Sequence, residues 1–416
     1  MVWASFGLQG LQTGLLQQSL GAYVAVLREE FGWGKAALAG AAVIQQVENA
    51  LLGPIQGWLV DRFGSQLMVR CGILALGAGF MLFSQVDTLT GFYAAFVLIA
   101  LGSGFSGFFP LTIAVMHWFE KKRSRALSTM NLGGACGGML APLVALAIIS
   151  FGWRATAFAS GIIIILAGWP LASVIRRRPE DMGEVIDGRD ATQTAVDTRP
   201  IAHDASGAPP APAAKVVPGP SADFTAKQAI KTSAFWFISL GHGLSLLVVS
   251  SVNVHAITHL KEGLGYELDT AALVMGLMTA GQFAGIVLAG ILGDRYDKRL
   301  LAAGCTFFHM AGMLLLTYAT SYAMLIGFAA LHGIAWGLRG PLMQAMRADY
   351  FGRKAIGLIA GLSFTIVLIG QVVGPVFAGA LADTTGNYQA GFTILALLAG
   401  LGSVFFLLVK PPVRHA

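Results

Sequence analysis

The chain has 416 residues, 56% of them hydrophobic and only 12% charged, with 53 glycines and a formal net charge of +6 at pH 7. A water-soluble globule carries roughly twice that charged fraction, so composition excludes one, and a mean hydropathy of +0.70 makes lipid the solvent for most of the chain. The basic excess requires no nucleic acid partner, because a basic face toward anionic lipid accounts for it.

A helix needs about 20 apolar residues to cross a bilayer core and must close its backbone hydrogen bonds internally there. Twelve stretches qualify, at approximately 3–27, 36–60, 67–86, 90–117, 125–150, 154–175, 233–258, 269–293, 299–319, 322–346, 355–381 and 389–409. Runs such as Ile162-Ile-Ile-Ile-Leu166 do not alternate, which argues against a β-barrel.

In the first stretch Gln9, Thr13 and Gln17 recur every four residues with Gln12 nearby. A polar stripe in lipid must face protein or water, so it either lines a central cavity or bonds one helix to another. Glu48, in the second stretch, is the only acid deep in a span. It is a candidate for proton coupling, against the plainer reading of an interhelical hydrogen-bonding residue. The turn Gly57-Trp-Leu-Val-Asp61-Arg62-Phe-Gly64 follows. Further on, Phe105, Phe108 and Phe109 either wall an apolar pocket or face lipid. Spacings such as Gly133-x-x-x-Gly137 and Gly370-x-x-x-Gly374 let helices approach closely.

Residues 177–232 break the apolar pattern with Arg176-Arg-Arg178 and a Pro- and Ala-rich run that cannot bury a core. They read as a flexible linker, with a short amphipathic helix over 221–231, between an N-terminal bundle of six helices (1–176) and a C-terminal one (233–416).

The seventh stretch places His242, Ser245 and Asn253 on roughly one side and spaces His255 and His259 four apart at its end. Two such histidines suit a metal, but no third ligand stands close, so no metal or other cofactor is expected. Gln282 and Gln371 are the mid-span polar residues of the eighth and eleventh stretches, while His117, His309 and His332 carry no companion pattern. Arg339, in Trp336-Gly-Leu-Arg339-Gly340-Pro341, is the one cation well inside an expected span. Intramembrane arginine is expensive and usually functional or paired, and its planar fork suits a carboxylate. The competing reading is an arginine that snorkels to the interface or bonds backbone carbonyls.

Lys and Arg fix the orientation. The loops after odd-numbered stretches hold only Arg28, Lys35, Arg154 and Lys261, so the heavily basic loops and both termini are assigned to the cytoplasm of a cell membrane. The widely separated Cys71, Cys136 and Cys305 suggest no disulfide framework.

The chain also repeats itself. Gly290-Ile-Leu-Gly-Asp294-Arg295 echoes the first Asp-Arg turn at an offset of 294 − 61 = 233, and Pro142 recurs as Pro375 at the same offset. Each Asp-Arg turn lies where a neighbouring helix begins, so Asp61 and Asp294 can accept hydrogen bonds from exposed N–H groups there, an arrangement the helix dipole favours. Made in one bundle arrangement and lost in another, such contacts gate alternating access; otherwise they are capped turns.

The motif Gly57-Trp-Leu-Val-Asp61-Arg62-Phe-Gly64 resembles the loop signature of the major facilitator superfamily. That resemblance implies an all-α integral membrane fold of twelve transmembrane helices in two pseudo-symmetric bundles, rocking about a midplane substrate site. Glu29-Glu-Phe31-Gly32-Trp33, Trp118-Phe119-Glu-Lys-Lys-Arg123 and Ala348-Asp349-Tyr350-Phe351-Gly352-Arg353 are similar to the monocarboxylate porters and oxalate/formate antiporters. That group places a cation in the eighth helix, and its oxalate exchangers another in the eleventh, where this chain has Gln282 and Gln371, which makes a dicarboxylate such as oxalate improbable. His255 resembles a histidine that closes the seventh helix in the same group, implying an outer gate contact.

The expectation is a monomeric secondary transporter for a small, monocarboxylate-like organic anion, proton-coupled or exchanging. Its substrate contacts are drawn from Arg339, Gln9, Gln12, His242, Asn253, Gln282 and Gln371, with Glu48 for protons and Asp61, Arg62, Asp294, Arg295 and His255 for gating. The alternative is an exporter of neutral or amphiphilic compounds. No nucleophile-base set or Walker motif supports an enzyme or direct use of ATP.

Overall fold

The computed structural model describes residues 1–34, 38, 44, 52–188 and 223–412, and among the described residues there is helix and no strand. Helices α1 (2–31), α2 (52–63 as described), α3 (Ser65–Phe83), α4 (Leu89–Trp118), α5 (Arg123–Phe151) and α6 (Trp153–Val174) make the N-terminal half. Helices α7 (Ser233–Gly263), α8 (Leu268–Leu292), α9 (Lys298–Thr317), α10 (Tyr322–Phe351), α11 (Ile356–Thr385) and α12 (Gln389–Leu408) make the C-terminal half. Ten of them, α3 to α12, are long and apolar enough to cross a membrane. Glu48 lies outside the described residues, so its role as a proton carrier stays an expectation.

Two boundaries differ from the sequence reading. A π turn over Thr13–Gln17 interrupts α1, so Gln9 and Thr13 are buried whereas Gln17 is exposed; the wider turn rotates the four-residue stripe apart. Helix α10 continues past 346 to Phe351, so Arg347 is a fully buried helical residue and not a loop cation. Arg339 is therefore not the only cation inside a span.

The packing is duplicated. The extensive pairs α1 with α5, α3 with α4 and α3 with α6 recur as α7 with α11, α9 with α10 and α9 with α12. Close backbone approaches match too: a Cβ on Gly137 would collide with the Gly10 carbonyl oxygen, and one on Gly370 with that of Gly243. Since 370 − 137 and 243 − 10 both equal 233, glycine is needed at the same crossing in each half.

Each half has its own apolar core, the N-terminal one around Phe80, Phe83, Phe92 and Phe96 and the C-terminal one around Phe328, Phe392 and Leu395. A smaller cluster of Val60, Met68, Ile113, Met116, Ile356 and Ala360 draws on both. Phe105 and Phe109 border it, and the rings of Phe108 and Phe109 meet Phe364 across the halves, so these phenylalanines belong to the seam.

The described ends of the 177–232 connection are docked. The Asp187 carboxylate accepts from the backbone N–H groups of Glu120, Lys121 and Lys122 at 3.2, 2.9 and 3.3 Å. Asp223 accepts from those of Arg353 and Lys354 at 2.8 and 3.1 Å. Exposed N–H groups ahead of a helix attract carboxylates, a pull that Pro and Ala content does not register. The expected short helix is present as Ala226–Ala229, capped by reciprocal bonds between Thr225 and Gln228.

Candidate functional site

At the face carrying the Asp-Arg turns the halves are latched. Asp61 accepts from the N–H groups of Gly357 and Leu358 at 3.0 and 2.8 Å, at the start of α11. Asp294 accepts from those of Ser124 and Arg125 at 2.8 and 3.0 Å, at the start of α5. Carboxylates and recipients are all related by the same 233-residue offset, so each half grips a helix N-terminus of the other. Burial pushes the Asp61 carboxyl up to about 6, against the pull of the Leu358 and Gly357 amides and of Arg178 and Arg177.

Other cross-half contacts crowd the same face. Buried Arg123 pairs with Asp349, which also takes Lys298 at 2.9 Å. Arg353 donates to the His117 carbonyl at 2.7 Å and to Glu180 at 3.1 Å. Arg62 packs over Trp58 and Phe63, with its guanidinium 5.3 Å from the Trp58 ring centre, and exposed Arg295 lines a groove of about 500 Å³ with Lys122 and Arg125.

Of the expected substrate set, two members bond or pack within the N-terminal half. Gln12 donates to the Ser103 carbonyl at 2.9 Å and to Ser106 at 3.3 Å, tying α1 to α4. Gln9 is buried against α5, with its carbonyl oxygen lacking a partner. His242 is buried and Asn253 exposed on α7, while Gln282 and Gln371 are half-buried on α8 and α11. His255 bonds the Pro375 carbonyl at 2.9 Å and Tyr388 at 3.2 Å, whereas His259 reaches the Leu316 carbonyl, so the two histidines do not converge.

What the structure does bring together lies among α7, α9 and α10. Arg339 is 2% exposed, and its Nε and Nη1 have no hydrogen-bond partner. His242, Cys305, His309 and His332 stand within electrostatic reach of it. Beside it, nothing beyond its own stretch of helix lies within 4 Å of where a Gly340 side chain would begin. Arg347, two turns farther along α10, is in contrast satisfied. It donates to Ser363 at 2.9 Å, to Gln344 and the Met343 carbonyl at 3.3 Å each, and to His242 Nδ1 at 2.8 Å, and it lies over the Phe364 ring at 5.1 Å. No carboxylate pairs with either arginine among the described residues.

The sequence reading missed Arg347 and the meeting of His309 with His332. Its eight-residue spacing from Arg339 was a usable signal for the first; the histidines lie on different helices, so their sequence spacing carried none.

A latched pair of half-chains built on one repeated pattern defines a membrane carrier of two related bundles. A family model of the Major Facilitator Superfamily matches residues 3–253 and 238–416, and the chain belongs to that superfamily. Among relatives, it is 25% identical to a probable sulfoacetate transporter, SauU, of Cupriavidus necator, over 93% of this chain and 88% of that one. It is 26% identical to monocarboxylate transporter 13 of Bos taurus, over 84% and 75%, and 25% identical to the agnestins efflux protein AgnL12 of Paecilomyces divaricatus, over 86% and 75%. In fold it is similar to the FucP transporter solved in the outward conformation, with a TM-score of 0.71 at 15% identity over 98% and 97% of the two chains. The all-α membrane fold and the transporter class follow.

Proposed function

We propose that this transporter moves a small organic anion bearing one carboxylate, by alternating access, with Arg339 as its anchor. The observation that carries this reading is the buried guanidinium with two unmatched nitrogens and no carboxylate partner among the described residues. An unpaired buried charge is costly, and a carboxylate that arrives and leaves would offset that cost only while bound. Arg347, already satisfied by neutral groups, supports the same sign of potential without competing for that ligand. Similarity to proteins named for sulfoacetate and monocarboxylates points in the same direction.

In this reading the basic face is cytoplasmic and closed in the structure, and Asp61 and Asp294 with their recipient helix starts form the inner gate. Release of the latches turns the cavity to the other side.

Proteoliposome counterflow with labelled propionate, L-lactate and sulfoacetate, against neutral solutes of similar size, tests the proposal. Carboxylates are expected to compete in the wild type, and Arg339→Gln is expected to weaken that competition by about ten-fold or more, the scale of one charge-assisted hydrogen bond. Equal competition in both proteins removes Arg339 from the site. Absence of competition by any carboxylate points instead to a carrier of neutral or amphiphilic compounds, as the similarity to AgnL12 suggests.

A further inference from the structure

Midway along α9 and α10, His309 and His332 face each other with Nδ1 to Nδ1 at 3.2 Å, ring centres 4.5 Å apart, and both are 0% exposed. The Nε2 atom of each is buried and has no partner. Two ring nitrogens bond only if one donates and the other accepts. The neutral pair therefore holds one proton between its Nδ1 atoms, leaving a bare lone pair on the Nε2 of the donor ring and an N–H on that of the acceptor. One added proton settles on the bare Nε2 without disturbing the inner bond. A second would set two N–H groups against each other, so the unit accepts one.

The charges around it are few. Cys305 on α9 and Arg339 on α10 are near, and His242 on α7 has its Nδ1 committed to Arg347. Helix α12, packed on α9, carries no charged residue, and α8 and α11 carry only Asp269 and Asp383 at their far ends. The charge that opposes a proton on the pair is thus the guanidinium of Arg339.

We propose that His309 and His332 together form a one-proton site whose filling is coupled to an anion on Arg339. The proposal rests on the anion reading of Arg339. With the guanidinium bare, like charge adds to the cost of burying an imidazolium; with a carboxylate on it that part is cancelled, and the pair holds a proton more tightly than before. Coupling of this kind is reciprocal, so the proton strengthens anion binding by the same factor, which is the thermodynamic content of symport. No bond is made or broken apart from transfer of the proton from solvent to Nε2 and its later return.

The decisive measurement needs no substrate. In [15N]histidine-labelled full-length protein, one histidine of the pair is expected to bind a proton about ten-fold more tightly in Arg339→Gln than in the wild type, as a unit charge several ångströms away requires. Signals are assigned with His309→Asn and His332→Asn, which keep a hydrogen-bonding atom near the Nδ1 position. Identical titration in both backgrounds, or none between pH 4 and 9, overturns the proposal.

Transport gives the second arm. With propionate as probe, the two asparagine variants are expected to retain exchange but lose uptake driven by a pH gradient. Gradient-driven uptake at wild-type rate in both variants also overturns the proposal. If the asparagine variants do not fold, the wild-type and Arg339→Gln spectra still decide through the number and midpoint of titrating signals. Failure of the anion reading has its own signature, carboxylate competition indifferent to Arg339→Gln, and is scored separately.

Discussion

Asp61 and Arg339 show what one residue can and cannot announce from sequence. Asp61 stood in a turn whose next task was visible, because a carboxylate beside exposed amides at a helix start has one obvious partner. The structure supplies that partner in Gly357 and Leu358. Because burial holds the Asp61 carboxyl at about 6 in the closed face, and an opened face would return it toward the ordinary carboxylate range, the closed form binds the proton more tightly. Acidification from pH 7.5 to 5 is therefore expected to raise the closed fraction, and Asp61→Asn to flatten that dependence. Spin-label distances between positions 62 and 353 would report it; a closed fraction that falls with acid contradicts the sign. Arg339 was legible as an intramembrane cation, but the lack of a hydrogen-bond partner at its Nε and Nη1 was not, since partners come from helices far apart in the chain.

Among elements, the ten described spans were readable because lipid imposes a length on any helix that crosses it. What escaped were local departures from uniform helix. The π turn in α1 shifts the polar stripe by one residue, and the continuation of α10 takes Arg347 into the core; neither alters hydropathy enough to be seen. Close helix crossings follow the same logic in reverse. Gly137→Val would drive side-chain atoms into the Gly10 carbonyl, and the companion change Gly370→Val into that of Gly243. Each is expected to cost about 3 kcal/mol or more, the overpacking range, and to lower the thermal unfolding midpoint in detergent. A midpoint unchanged in either variant would mean that the two crossings are looser than their backbone distances indicate.

For the molecule as a whole, the offset of 233 residues predicted internal repetition, and contacts obey it as well as residues. Hydrogen-bond recipients, glycine crossings and helix pairings all duplicate. The salt bridge of Arg123 with Asp349 has no such twin, and no spacing rule could have revealed it. Arg123→Asp is expected to set two carboxylates against each other across the seam and favour opening of that face. The double variant Arg123→Asp with Asp349→Arg is expected to recover part of the closed population, measured with the same spin labels. No recovery would mean that the pair adds nothing beyond its neighbour Lys298.

The reciprocal grip of Asp61 and Asp294 makes the seam behave as a door held by two equal clasps mounted on opposite leaves. If the leaves swing as rigid bodies, both clasps let go in one event, and the energetic penalties of disabling each must simply add. Asp61→Ala or Asp294→Ala, which strips the hydrogen-bond acceptor as well as the charge, should then favour the swung state by about 1 kcal/mol, near five-fold, and the double variant by about twice that. A shortfall in the double variant would reveal instead a lopsided posture, with one clasp undone and the other serving as pivot.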